Sequence, residues 1–257
     1  MTKIVALPAF QDNYIWAIHS LDGSHLIVVD PGTAEPVFAY LHKHKLDLTA
    51  VLITHHHWDH SGGINKQKEH YPNAAIIGPQ KDNVQGLTQL VQENDTVTFD
   101  EYGLTLRVFD IPGHTLGHIA YYNDEMLFCG DTLFSCGCGR IFEGTSSQMY
   151  HSLDKLKSLP PNTLMYCGHE YTLANIAFAQ TVEPNNHDLT QRKENALKLR
   201  EQGLPTLPVT LATELQTNPF LRCDKPEVIQ AVQKQTSLKA ADPVSIFANL
   251  REWKNRT

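Results

Sequence analysis

The chain has 257 residues, 41% of them apolar and 19% charged, a composition that can build a sizeable core in one large domain or in one domain with a smaller companion. Its formal net charge of −7 lacks the basic surplus that a nucleic-acid binder uses to neutralise phosphates, and no apolar run approaches the roughly 20 residues that span a bilayer. The start, MTKIVALPAFQDNY, carries no signal-peptide pattern, and the cysteines are odd in number (Cys129, Cys136, Cys138, Cys167 and Cys223), so a cytoplasmic protein without a disulfide framework is expected.

In chain order, KIVAL, YIWAIHS and HLIVVD are short β-branched or aromatic runs and read as strands. The DPG at 30–32 breaks the third run into a turn. AEPVFAYLHKHK has Val37, Phe38 and Leu41 at helical spacing. AVLIT, AAIIG, DTVTF, LTLRVFD, HIAYY, MLFCG and TLMYC read as further strands. Before the last of these, SSQMYHSLDKLKSL reads as a helix that opens on serines suited to capping and stops at Pro160 and Pro161. From Tyr171 onward the pattern changes. TLANIAFAQTVE, HDLTQRKENALKLREQ, KPEVIQAVQKQ and DPVSIFANLREWK read as helices, with GLPTLPVT and TNPFLRCD as loops or short turns between them. The expectation is a mixed α/β domain over 1–170 and a helical domain over 171–257.

The densest chemistry lies in THHHWDHSGG. If the chain stays extended after the run at 51–53, His55, His57 and Asp59 share one side. His60 joins them only if the chain turns, which Ser61, Gly62 and Gly63 permit. Neutral imidazole and carboxylate suit a borderline divalent cation such as zinc. Three other strand ends offer ligands: His114 after LRVFDIPG, Asp131 after MLFCG and His169 after TLMYCG. In α/β folds, functional groups gather where strands end. His55, His57, Asp59, His60, His114, Asp131 and His169 are too many for one tetrahedral ion but suit two if a carboxylate bridges. His56 points the other way in an extended stretch, and His118, which opens a strand, is read as an outer partner of the ligands or as structural. His19, His25, His42, His44, His70, His151 and His187 are read as surface or hydrogen-bonding residues. The C-x-C at Cys136 and Cys138 has no second pair to complete a four-ligand site, so it is read as two loop thiols.

THHHWDH, PGHTLGH, GDTLF and GHEY, with DPG at 30–32, resemble the metallo-β-lactamase superfamily. FCGDTLFSCGCGRIFEGT, NPFLR and the helical C-terminal part resemble, more narrowly, the glyoxalase II (hydroxyacylglutathione hydrolase) family within it. The resemblance covers essentially the whole chain. It implies an αβ/βα sandwich followed by an all-helical domain, with two divalent metal ions, zinc first and iron or manganese as alternatives. One ion then takes His55, His57 and His114, the other Asp59, His60 and His169, and Asp131 bridges them. The implied substrate is a glutathione thioester, S-D-lactoylglutathione, cleaved to D-lactate and glutathione in methylglyoxal detoxification.

The chemistry fits: metals lower the pKa of bound water to roughly 7, and hydroxide held between them attacks the thioester carbonyl. Thiolate leaves readily, so no strong general acid is required. Asp59 and Asp131 are the expected catalytic carboxylates, Asp59 by orienting the hydroxide. The resemblance also implies substrate contacts at Arg140, Phe142, Tyr171, Arg251 and Lys254. Arg251 and Lys254 lie three apart on one helical face. Some family members have Lys-x-Tyr where this chain has Arg140, Ile141 and Phe142, and Phe142 lacks the hydroxyl. A monomer without membrane or nucleic-acid partners is expected. The competing readings are a lactonase or a β-lactamase of the same fold, the latter tending to place a cysteine ligand near Asp131, which Cys129 can mimic. A nuclease of this fold is disfavoured by charge, and a purely structural metal module would close at four ligands.

Overall fold

The computed structural model describes residues 2–239 and 242–257. Six strands form the first sheet in sequence order: β1 (Ile4–Ala9), β2 (Asn13–His19), β3 (His25–Val29), β4 (Asp47–Leu52), β5 (Ala75–Pro79) and β6 (Gln89–Val91). The β1–β2–β3 edge is antiparallel, and β3 through β6 are parallel. The connections that parallel pairing demands include α1 (Glu35–His44) between β3 and β4, and α2 (Trp58–Ser61) and α3 (Ile64–His70) between β4 and β5.

The near-continuous apolar runs of β2, β3 and β4 follow from burial on both faces. Trp16, Ile18, Ile27, Val29, Ala50 and Leu52 enter the central core. Their neighbours Ile15, Ala17, Leu26, Val28 and Val51 pack instead with Val37 and Leu41 of α1 and Ile64 of α3. Successive side chains alternate between the two cores, as a pleated strand requires.

The second sheet contains β7 (Thr96–Phe99), β8 (Leu104–Asp110), β9 (Ile119–Tyr122) and β10 (Met126–Gly130). Past a small hairpin of β11 (Leu133–Phe134) and β12 (Gly137–Cys138), and past α4 (Ser146–Lys157), the sheet continues with β13 (Leu164–Cys167), parallel to β10. Leu106, Val108, Ala120 and Leu127 of this sheet share the central core with the first, and Met149, Leu153 and Leu156 of α4 join it. This is the αβ/βα sandwich. The α4 cap is Thr145, one residue before the serines expected there: its hydroxyl accepts from Gln148 N–H, and the Gln148 side chain accepts from Thr145 N–H, a reciprocal capping box.

The C-terminal part holds α5 (Thr172–Val182), α6 (His187–Glu201), α7 (Leu211–Thr217), α8 (Pro226–Thr236) and α9 (Pro243–Asn255). Two segments depart from the sequence expectation. Val209–Thr210, expected in a loop, form β14, which pairs antiparallel with β13, so the helical part adds an edge strand to the second sheet. Leu211–Thr217, not anticipated, form α7, capped by Thr210. Among the described residues, no helix is long and apolar enough to cross a membrane.

Candidate metal centre

Four strand ends deliver the seven expected side chains. After β4 the chain bends at Thr54 and His55 and enters the single helical turn of α2 at Trp58, earlier than Ser61. Asp59 and His60 therefore come from that turn, and not from an extended stretch with period-two alternation. His114 comes from the loop after β8, Asp131 directly follows β10, and His169 lies two residues past β13.

The side chains fall into two groups whose ligand atoms lie close together: His55 with His57 and His114, and Asp59 with His60 and His169. Asp131 faces both. Its Oδ2 lies 3.5 Å from His114 Nε2 and 3.3 Å from His169 Nε2, and its Oδ1 lies 3.3 Å from His60 Nε2. Ligands about 2.1 Å from one tetrahedral ion stand about 3.4 Å apart. The separations here run from 3.0 to 3.5 Å.

The hydrogen-bond inventory independently calls for a cation. His114 Nδ1 donates to the Arg140 carbonyl at 2.7 Å, so its Nε2 carries a lone pair. Thr54 Oγ1 gives its proton to Asp30 Oδ2 and accepts from His55 Nδ1 at 3.0 Å, so His55 Nε2 also carries one. Both lone pairs face Nδ1 of His57, at 3.0 and 3.1 Å, and one ring nitrogen supplies at most one proton. A divalent cation satisfies all three. In the second group, His60 and His169 anchor Nδ1 on Asp30 (3.1 Å) and Asp12 (2.8 Å), leaving their Nε2 atoms 3.3 Å apart and facing inward. Asp131 Oδ1 is buried and has no hydrogen-bond partner among the described residues. Such an atom is costly unless a cation or donor meets it. The residues present fit two metal ions.

Electrostatics agree. Burial holds His55 well below the ordinary imidazole pKa and lowers His57 and His114 too, keeping them neutral as ligands must be. Burial also opposes charge on His60 and His169, but Asp131 and the other carboxylates outweigh it, and His169 is raised to about 10. A divalent cation bound there would take the place of those protons. Burial works against the Asp59 charge as well, yet His169, His60 and the Asn13 amide hold its carboxyl far below the usual range.

The outer partners were not read from the sequence. Asp30 accepts from Thr54 N–H, Thr54 Oγ1 and His60 Nδ1, and the DPG turn with its left-handed Asp30 (φ 53°) was its only signal. Asp12 lies in the turn before β2, and Asn13, which donates to Asp59 Oδ2 at 3.1 Å, opens that strand; neither belongs to a motif. Two glycines explain why Asp131 and His169 follow glycine. Gly130 has φ +47°, and a Cβ there would meet Thr54 Oγ1 at 2.3 Å. At Gly168 a Cβ would lie 2.5 Å from Asp131 Oδ1.

His56 points out of the cluster, to Asp82 at 2.8 Å and Glu143 at 3.3 Å. His118 stacks on His55 and accepts from Asp131 N–H, a structural role. Cys129 Sγ donates to the Leu133 carbonyl at 3.2 Å, and burial pushes its thiol pKa up strongly, so it does not stand in for Asp131. Cys136 and Cys138 are buried and unpaired, as are the other three cysteines.

The five expected substrate contacts divide. The Tyr171 ring stacks on His169, centroids 4.7 Å apart. Phe142 is 62% exposed, its ring 5.2 Å from His114 and 5.7 Å from His57. Arg140 is exposed. Arg251 and Lys254 are tied inward instead: Arg251 donates to the Cys138 carbonyl at 2.8 Å, and Lys254 to Asn175 Oδ1. Both lie over the Phe220 ring.

Residues 10–169 match the metallo-β-lactamase superfamily, and residues 170–257 match the family described as hydroxyacylglutathione hydrolase C-terminus. A hydroxyacylglutathione hydrolase of Vibrio cholerae is 52% identical over 256 residues, covering 99% of each chain. One from Nitrosomonas europaea is 48% identical over 255 residues, covering 99% of this chain and 96% of that one. Among solved structures, ETHE1 from Myxococcus xanthus covers 97% of this chain and 99% of its own, with TM-score 0.64 and 23% identity. The BLEG-1 B3 metallo-beta-lactamase covers 86% of this chain and 99% of its own, with TM-score 0.63 and 22% identity. These two share the fold.

Proposed function

The chain belongs to the hydroxyacylglutathione hydrolase family of the metallo-β-lactamase superfamily, and on that premise we propose that it hydrolyses S-D-lactoylglutathione and related S-2-hydroxyacylglutathiones. The products are the 2-hydroxy acid and glutathione, in the second step of methylglyoxal detoxification. The observation that carries this reading is Asp131, with one oxygen left orphaned between two groups of inward-facing ligands. When bound, two divalent cations, zinc first, supply hydroxide at neutral pH and positive charge for the developing oxyanion.

The chain's own residues do the rest. Asp59 Oδ2, held by the Asn13 amide, accepts a hydrogen bond from the nucleophile and aims it. Tyr171 offers its hydroxyl beside His169. Arg251 and Lys254 take a glutathione carboxylate. Their inward bonds leave donors over, since a guanidinium has five and an ammonium three. Phe142 packs against the substrate by its ring alone. Five unpaired thiols suit a reducing cytoplasm.

The test is a parallel assay of S-lactoylglutathione, a β-lactam and a phosphodiester. The reading expects thioester cleavage only. Faster turnover of the β-lactam or the phosphodiester contradicts it.

A further inference from the structure

The hairpin of β11 and β12 lies between two parts of the metal centre. It begins two residues after Asp131. Two residues past its end, the Arg140 carbonyl receives the His114 Nδ1 proton at 2.7 Å. The hairpin belongs to neither large sheet, and only Leu133↔Cys138 and Phe134↔Gly137 pair within it. Its turn includes Cys136 in the left-handed region (φ 56°), which a residue with a Cβ adopts only when its surroundings hold it there.

Those surroundings are the helical C-terminal part. Glu214 of α7 is 0% exposed. Its carboxylate accepts from Ser135 Oγ at 2.9 Å and from Cys136 N–H at 2.8 Å. Asn218, also fully buried, donates to the Phe134 and Gly137 carbonyls at 3.1 and 2.9 Å, and to Glu214 at 3.0 Å. Asn175 of α5 donates to the Ser135 carbonyl at 2.9 Å, and Arg251 of α9 to that of Cys138. A buried carboxylate is costly unless donors surround it. Here the donors are one hydroxyl, one backbone amide and one side-chain amide, two of them from the hairpin itself.

We propose that Glu214 and Asn218 are positioning residues for the metal centre: by gripping the hairpin they set where Asp131 stands and where the acceptor for His114 lies. This rests on the metal-centre reading above. The helical part thus shapes the metal site as well as any substrate surface.

The test titrates zinc into apo-protein against a chromophoric chelator, with turnover measured separately. Glu214→Ala is expected to weaken zinc binding by about tenfold or more, the usual effect of losing an outer partner, and to lower kcat with KM little changed. Glu214→Gln keeps an oxygen for Cys136 N–H and turns its NH2 toward Ser135 Oγ, so it restores both values to within about threefold. Ser135→Ala removes the hydroxyl that donates to Glu214 and accepts from Arg192, and weakens zinc binding by about threefold. Val232→Ala, a fully buried residue of α8 that makes none of these bonds, lowers Tm and leaves zinc affinity unchanged. Zinc uptake absent from the wild type overturns the metal-centre reading and this inference with it. Zinc uptake by the wild type, matched by both Glu214→Ala and Ser135→Ala, overturns the positioning role alone. If Glu214→Ala does not fold, Ser135→Ala decides.

Discussion

In the sheet region, His55, His60, His114 and His169 each turn one nitrogen inward and anchor the other on a dedicated acceptor: Thr54, Asp30, the Arg140 carbonyl and Asp12. In the helical part, Asn175, Glu214, Asn218 and Arg251 reach the backbone of a segment about 40 to 110 residues away. The first set fixes which way each ligand faces. The second fixes where a ligand-bearing segment lies. The two regions therefore fail differently when perturbed, and that difference orders the predictions by size.

The largest effect is expected at Asp131, which serves both ligand groups. Asp131→Ala lowers kcat by roughly a thousandfold, about 4 kcal/mol of transition-state stabilisation, and metal analysis of the variant finds less than the wild-type content. Outer partners come next. Asp30→Asn points an amide NH2 at donors that the carboxylate now accepts, and is expected to weaken metal affinity about 10- to 100-fold, read by chelator competition. Wild-type affinity in that variant would erase the proposed contrast between the regions.

How far the sequence reveals these regions follows from the same contrast. The candidate ligands are legible because they follow strands whose apolar runs are themselves legible, and because His and Asp are scarce enough for their spacing to stand out. The anchors are not. Asp30 and Asp12 look like ordinary loop carboxylates until the fold carries them 30 and 157 positions along the chain, to His60 and His169. The turn at Trp58 is hidden because one helical turn has too few residues to show a period. β14 and the β11–β12 hairpin have two residues per strand, and tertiary partners rather than local propensity hold them. The longer strands and the C-terminal helices are readable from local pattern, except β6 and α7, whose few residues show no clear apolar stripe; the sandwich arrangement is implied only by the family resemblance.

The helical part also supplies the next effect. Arg251→Ala with Lys254→Ala is expected to raise KM for the glutathione thioester at least about tenfold with little change in kcat, the signature of lost uniform binding. Loss of kcat instead would mean that the Arg251 bond to Cys138 matters more than its charge. Burial, with Arg251 alongside, lowers Lys254 to about 8. Its charge, and the binding that depends on it, is present below that value and lost as pH rises through it. The profile of kcat/KM, which reports the free enzyme, should fall above about pH 8, and Lys254→Arg should abolish that fall because guanidinium stays charged.

The smallest expected effect is at the exposed rim. Phe142→Tyr adds one hydroxyl beside His57 and His114 and lowers KM about threefold to fivefold if it finds the substrate, the worth of one modest hydrogen bond.

The most direct measurement is metal stoichiometry by elemental analysis on purified protein that cleaves S-lactoylglutathione, before and after chelation. The account expects two divalent ions per chain, activity lost on their removal and regained on their return. Full thioester cleavage with one ion or none per chain contradicts it.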